Sequence, residues 1–297
     1  MNRPVPMTAR DVAQALAIVL IWGVNFAVIK WGVHGVPPLL LGALRFGTLA
    51  AVAVWFVPRP ALPWRWLIAY ALTVAVGQFG FLFCAIKFGM PAGLASVVLQ
   101  AQVFFTLVLG RWLAREHWRR EQLFGLVLAL AGLFLIGIAH GSAMSVAGFV
   151  LTLLAALSWG ASNIVVRLIG AAGHRIEPVG LVVWSSLIPP LPFLLLSWWL
   201  EGYDADLEAL RHFSVGMLLV VLYLAFAASL LGYGLWSRLL SRFPANRVAP
   251  FSLLVPVIGL LTAWGLLGEQ LTVLQASGSV CLLAALLVNT LSSLRRG

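Results

Sequence analysis

Carboxylates are scarce in this chain: nine Asp and Glu stand against 19 Lys and Arg in 297 residues. None lies in the interior of a long apolar run. A carrier of lipophilic cations needs a buried counter-ion, usually a carboxylate, and intramembrane carboxylates are also the usual proton relays. Both roles lack a residue here. Cysteine occurs twice, as Cys84 and Cys281, each inside an apolar run, with a spacing that suits neither a disulfide nor a metal pair. His34, His117, His140, His174 and His212 fall in loops or at the rims of apolar runs and form no metal-ligand pattern. No glycine-rich loop ending in Lys and Ser/Thr is present, which excludes the phosphate cradle of an ATP-driven pump. The chain therefore reads as a protein without cofactor or metal, and not as an enzyme.

What it has is apolar length. Hydrophobic residues make up 62% and charged residues 9%, against about 25% charged in soluble domains. Ten runs reach the roughly 20 residues that cross a bilayer: 11–30, 37–57, 66–88, 91–113, 122–140, 146–166, 178–200, 214–236, 248–267 and 271–291. Backbone groups in hydrocarbon must be satisfied internally, which leaves helices or closed barrels. The runs are too long and too uniformly apolar for alternating barrel strands. An all-α membrane bundle of ten transmembrane helices is expected, with the lipid bilayer as its partner. The first run is too long for a cleaved signal peptide.

Basic residues orient the bundle. With the N-terminus inside, 15 of the 19 fall on the cytoplasmic side: Arg3, Arg10, Arg59, Arg65, Arg111, Arg115, Arg119, Arg120, Arg167, Arg175, Arg238, Arg242, Arg247, Arg295 and Arg296. Lys30, Lys87 and Arg211 lie on the other side, beside an acidic loop at 201–213. Cytoplasmic loops carry the Lys/Arg excess, so both termini are inside. The net charge of +10 is thus a topology signal. It is no footprint for nucleic acid, since no basic patch stands apart from the membrane edges.

The chain also repeats itself. Trp22-Gly23-Val24-Asn25 resembles Trp159-Gly160-Ala161-Ser162-Asn163, and the same alignment sets Lys30 opposite Arg167. Pro91 aligns with Pro244, Glu116 with Glu269 and Gly125 with Gly278. Two halves of five helices each follow, 1–140 and 141–297. An odd number of spans inverts the second half, an architecture of secondary transporters, whose sites lie near the midplane at the repeat interface.

Three segments carry a family resemblance: Trp22-Gly-Val-Asn-Phe-Ala-Val-Ile-Lys30, Pro37-Pro-Leu-Leu-Leu-Gly-Ala-Leu-Arg45-Phe46, and Phe83-Cys-Ala-Ile-Lys87 running on to Gln100-Ala-Gln102. They resemble EamA-type carriers of the drug/metabolite transporter superfamily, most closely the O-acetylserine/cysteine exporters of enteric bacteria. Val248-Ala-Pro250 through Pro256 and Gly268-Glu269 continue the match. The resemblance implies a ten-helix carrier in the bacterial inner (cytoplasmic) membrane that exports small amino-acid-like metabolites by alternating access, as a monomer or a homodimer. A broader exporter of other amino acids or drugs and a non-transporting membrane scaffold stay open beside it.

The polar residues within the runs are the candidate substrate site. Arg45 lies roughly 12 Å inside the outer end of the second run, at 1.5 Å per residue. Its counterpart in the second half, near Val182 to Ser186, is uncharged. A cation that breaks internal symmetry points to function, the other reading being a structural lock on neighbouring carbonyls. Lys30 and Lys87, at the outer ends of the first and third runs, add positive potential there or snorkel to the interface. Gln78, Gln100, Gln102, Asn25 and Tyr233 complete the set, with Asn25 and Asn163 also readable as interhelical glue. Gln100 and Gln102, two apart, are not expected to face the same way. Embedded positive charge without a carboxylate suits a zwitterionic or carboxylate-bearing solute.

Overall fold

The computed structural model describes residues 7–113, 120–139 and 144–294. Arg3, Arg115, Arg119, Arg295 and Arg296, and with them Glu116, His117 and His140, lie outside the described residues. Among the described residues the fold is all-helical and holds the ten expected helices. We number them α1 (Ala9–Gly35), α2 (Pro38–Ala53), α3 (Trp64–Lys87), α4 (Ala92–Leu113), α5 (Arg120–Ile138), α6 (Val146–Ala171), α7 (Pro178–Arg211), α8 (Val215–Arg242), α9 (245–267) and α10 (Val273–Leu294). Nine stretches among the described residues are long and apolar enough to cross a membrane. The exception is α2, with 16 residues, about 24 Å of helix.

Local chemistry sets the ends. Thr8 caps α1 in a capping box with Asp11, satisfying orphan N–H groups at both residues. Pro38 and Pro178 start α2 and α7 at positions where a missing N–H costs nothing. Gly268 ends α9 in the left-handed region at φ 66°, and Glu269 N then donates back to Ala263 O at 3.1 Å. Only glycine takes that φ without strain. The 201–213 segment, expected as a loop, is largely helical: a π-helical stretch at Trp198–Gly202 leads into the helix Tyr203–Arg211.

The halves are inverted repeats, and α5 and α10 show it. An offset of 153 residues carries Gly125 to Gly278 and Gly132 to Ala285. A Cβ placed on Gly132 would meet Gly278 O at 2.7 Å, and one on Gly125 would meet Ala285 O at 3.4 Å. Both contacts join equivalent residue pairs, 132 with 278 and 125 with 285, as expected for a two-fold axis between the helices. The third helix of each half carries the same irregularity. Ala71–Phe79 in α3 and Tyr223–Leu231 in α8 are both π-helical, nine residues long, and run into a glycine. π-helical turns widen the ring and are frequent at functional sites.

The main buried cluster joins α1 to α4 with α6 and parts of α7 and α8. Large apolar side chains such as Phe134, Trp199 and Val280 stay exposed, as expected where lipid replaces water. Packing is closest at small residues. The Cβ of a residue at 23 would fall 2.4 Å from the Ile258 side chain, and one at 93 would fall 2.9 Å from the Ala263 Cβ. These contacts draw α9 tight against α1 and α4 toward the outer side.

Candidate functional site

Polar side chains from eight helices converge on one cavity of about 450 Å³, within the range of small-molecule sites. Six of the eight candidate residues line it: Asn25, Arg45, Gln78, Gln100, Gln102 and Tyr233. Trp22, Trp159, Trp236 and Phe79 supply much of its apolar wall.

Arg45 is its centre of charge. Its side chain is 2% exposed and lies over the Phe79 ring at 3.9 Å from the centroid, with Phe46 at 5.4 Å. Arg45 Nη2 donates to Ser229 Oγ at 3.0 Å, and Ser229 Oγ donates to Leu224 O at 2.9 Å. That second bond spans five residues because Ser229 belongs to the π-helical stretch of α8. Arg45 Nε and Nη1 are buried with no hydrogen-bond partner among the described residues. Among the described residues no carboxylate neutralises the guanidinium, so two of its donor groups are left for something else. The outer end of α2 is fixed by Glu201, whose carboxylate accepts from Leu39 N at 3.1 and 3.2 Å. That is the favourable pole for an anion, and it anchors the helix that carries Arg45.

Two carbonyl oxygens complement these donors. Asn25 Oδ1 and Gln78 Oε1 are buried and likewise have no hydrogen-bond partner among the described residues. Gln78 sits on the π-helical stretch of α3. Unpaired donors on a cation and unpaired carbonyl acceptors in one cavity form the complement of a carboxylate and an ammonium group. Trp22 frames this end: Nε1 donates to Ala228 O at 3.0 Å, and the ring contacts Tyr233 and Trp236 at 5.5 and 5.4 Å.

Both Gln100 and Gln102 border the cavity, against the expectation for residues two apart. The reason is local. Leu99–Ala101 is a 3₁₀ turn, which separates such residues by about 120° around the axis where an α-helix gives about 160°. Asn163 Nδ2 donates to Gln102 Oε1 at 2.8 Å and to Thr106 Oγ1 at 3.0 Å, tying α6 to α4.

Lys30 and Lys87 do not reach the cavity. Lys30 Nζ pairs with Glu269 Oε1 at 2.6 Å. The Glu269 carboxylate also accepts from Ala92 N at 2.8 Å and Gly93 N at 2.9 Å, capping α4. Lys87 Nζ donates to Val33 O at 2.8 Å, near the end of α1 where the helix dipole favours a cation. Both ammonium groups are held in the outer scaffold by partners that sequence spacing does not show. Ser96 Oγ, between Gly93 O at 2.6 Å and Pro256 O at 3.3 Å, closes the same region. The cavity reaches the other way, to Trp236 on α8 and to Asn289 and Thr290 on α10, toward cytoplasmic helix ends.

Ser229, Trp22, Trp159 and Trp236 were not read as site residues from the sequence. The two tryptophans at 22 and 159 stood out only as a repeat signature. Nothing in the sequence marks Ser229, because its role depends on the π register. Trp184 Nε1 donates to Val57 O at 2.9 Å, and Trp264 is 67% exposed.

The model of the EamA-like transporter family matches residues 11–138 and again 146–291. A probable amino-acid metabolite efflux pump of Salmonella typhimurium is 50% identical over 285 residues, covering 95% of each chain. One of the same description in Escherichia coli is 46% identical with the same coverage. A solved crystal structure, 19% identical, covers 97% of this chain and 99% of its own with a TM-score of 0.64, which speaks to the fold alone.

Proposed function

This chain belongs to the EamA-like transporter family, and for this multi-pass inner-membrane protein we propose the export of small zwitterionic, amino-acid-like metabolites of the O-acetylserine and cysteine kind by alternating access. The observation that carries the reading is the set of unpaired polar atoms in the cavity. Arg45 Nε and Nη1 are the unpaired, charge-assisted donors open to a carboxylate. Asn25 Oδ1 and Gln78 Oε1 offer acceptors for the α-ammonium. Tyr233 and the tryptophans exclude lipid and shape the remainder.

Burying a cation without a counter-charge costs several kcal/mol. A zwitterion that brings its own carboxylate offsets that cost on binding. A quaternary ammonium compound makes it worse, which is the physical basis for selectivity. Alternating access is supported by the closed packing of α1, α4 and α9 around Lys30 and Glu269, with the cavity on the cytoplasmic side of that closure. The repeats 1–140 and 141–297 are the two bodies expected to rock about the site. The relatives' description as efflux pumps supports the outward direction.

A counterflow screen in proteoliposomes tests this. O-acetylserine, cysteine and other zwitterionic amino acids should exchange and compete with one another. Robust exchange of quaternary ammonium compounds, without competition by amino acids, would overturn the reading.

A further inference from the structure

The polar atoms of the cavity fall into two groups that share no hydrogen bond among the described residues. Arg45, Asn25 and Gln78 stand on α1, α2 and α3, while Gln100, Gln102 and Asn163 stand on α4 and α6. Resting on the reading above, we propose that the α4–α6 wall is a separate subsite that selects an uncharged, hydrogen-bonding side chain on the transported zwitterion.

Hydrogen-bond bookkeeping defines what this wall recognises. Both hydrogens of Asn163 Nδ2 are committed, to Gln102 Oε1 and Thr106 Oγ1. This fixes the orientation of both amides. Asn163 Oδ1 then remains as an acceptor and Gln102 Nε2 as a donor, neither bonded to a described residue. Thr106 Oγ1 is itself held by its bond to Gln102 O at 2.7 Å, so the arrangement is braced from α4. The 3₁₀ turn adds the Gln100 amide, which bonds no described residue. A donor beside an acceptor complements an amide. It also serves a hydroxyl or an ester carbonyl, which uses one of the two. An aliphatic side chain leaves both unpaired, and a site built to hydrogen-bond its ligand discriminates strongly against an analogue that cannot.

Charge sets the second limit. Arg45 is the one charged side chain lining the cavity among the described residues. An acidic or basic side chain on the α4–α6 wall would lose its hydration with no partner of opposite sign there. Aspartate-like and lysine-like solutes should therefore be rejected even though their α-groups fit.

The test uses the full chain in proteoliposomes, with counterflow of radiolabelled glutamine, O-acetylserine, valine, aspartate and lysine. Wild type should favour glutamine and O-acetylserine over valine, and exchange aspartate and lysine at least about tenfold more slowly. Gln102→Leu and Asn163→Leu should each lower the glutamine-to-valine ratio of kcat/KM about two- to tenfold, the expectation for one lost hydrogen bond. Gln100→Leu breaks no bond to a described residue and should lower the ratio as well, so the result does not hinge on folding. Melting temperature is read alongside, because Gln102 and Asn163 also join α4 to α6. If they act only as glue, the variants will melt lower and lose transport of both solutes in proportion. A ratio left unchanged in all three variants overturns the subsite, as does wild-type exchange of aspartate at the glutamine rate. Either result leaves the transporter reading standing. Failure of wild type to exchange any amino acid overturns that reading and the subsite with it.

Discussion

Replacing Arg45 separates transport from folding. Arg45→Met keeps most of the side-chain volume and removes three things. The bond to Ser229 Oγ goes, worth about 1.5–3 kcal/mol for a charged donor. Stacking on Phe79 goes too, worth about 1–2 kcal/mol when desolvated. So does a fully buried cation with two unpaired nitrogens, whose removal returns several kcal/mol of desolvation. The opposing terms nearly cancel, so the melting temperature in detergent should move by only a few degrees in either direction. Transport has no such cancellation. Two charge-assisted bonds to a carboxylate, at about 1.5–3 kcal/mol each, amount to a loss of roughly 10²–10⁴-fold in kcat/KM. Arg45→Lys keeps the charge and loses the planar fork, so its loss should be smaller, about 10–100-fold. The assay is solute counterflow normalised to folded protein, measured beside thermal unfolding. A variant that melts many degrees lower yet transports normally per folded molecule would make Arg45 a structural lock and remove it from the site.

Other outcomes follow from the scaffold. A reporter fused after Gly297 should read cytoplasmic and one inserted in 201–213 periplasmic; the reverse would undo the orientation drawn from the arginines. Glu269→Ala removes the Lys30 pair and the α4 cap together, so it should cost about 1–3 kcal/mol of stability, seen as a lower melting temperature with KM little changed. A rise in KM comparable to that of an Arg45 variant would contradict its place outside the cavity. Glu201→Ala uncaps α2, and a cost of about 0.5–2 kcal/mol is expected, with KM rising because Arg45 rides on that helix; an unaltered KM would show that the cap does not position Arg45. Gly278→Leu drives atoms into the Gly132 backbone and should lower stability by about 1–3 kcal/mol or more; wild-type melting would refute the close α5–α10 crossing.

Sequence reasoning reached the helices because lipid imposes one strong rule. Length and apolar content locate a span, and arginine placement orients it. It also picked out Arg45, Gln78 and Asn25, which line the cavity, because a polar side chain at mid-depth stands out against hydrocarbon. It failed where a partner is distant in sequence. Lys30 and Lys87 seemed to enrich the outer half with positive charge, but Glu269 lies 239 residues from Lys30 and no spacing announces the pair. It failed again where helix type changes. The 3₁₀ turn at Leu99–Ala101 and the π-helical stretches of α3 and α8 alter which side chains share a face. No propensity marks Ala71–Phe79 as other than α-helical.

Symmetry of fold and asymmetry of site have one source. Aligned on their first residues, Ala71 and Tyr223, the two π-helical stretches share their length and their closing glycine. Their chemistry diverges within that frame. Gln78 stands opposite Leu230, and Ser229 stands opposite Gly77. The first stretch thus contributes an unpaired acceptor, and the second contributes the hydroxyl that holds Arg45 Nη2. Arg45 in turn stands opposite Val182 in the other repeat. Under the proposed alternating access, a backbone shared by two inverted halves would open and close about its pseudo-two-fold axis with matched contacts on each side. A zwitterion has no such symmetry, since its two charges need different partners. On the proposed reading, divergence at these few positions would let a symmetric scaffold hold an asymmetric solute, while the packing glycines 125, 132 and 278 keep the close α5–α10 crossing.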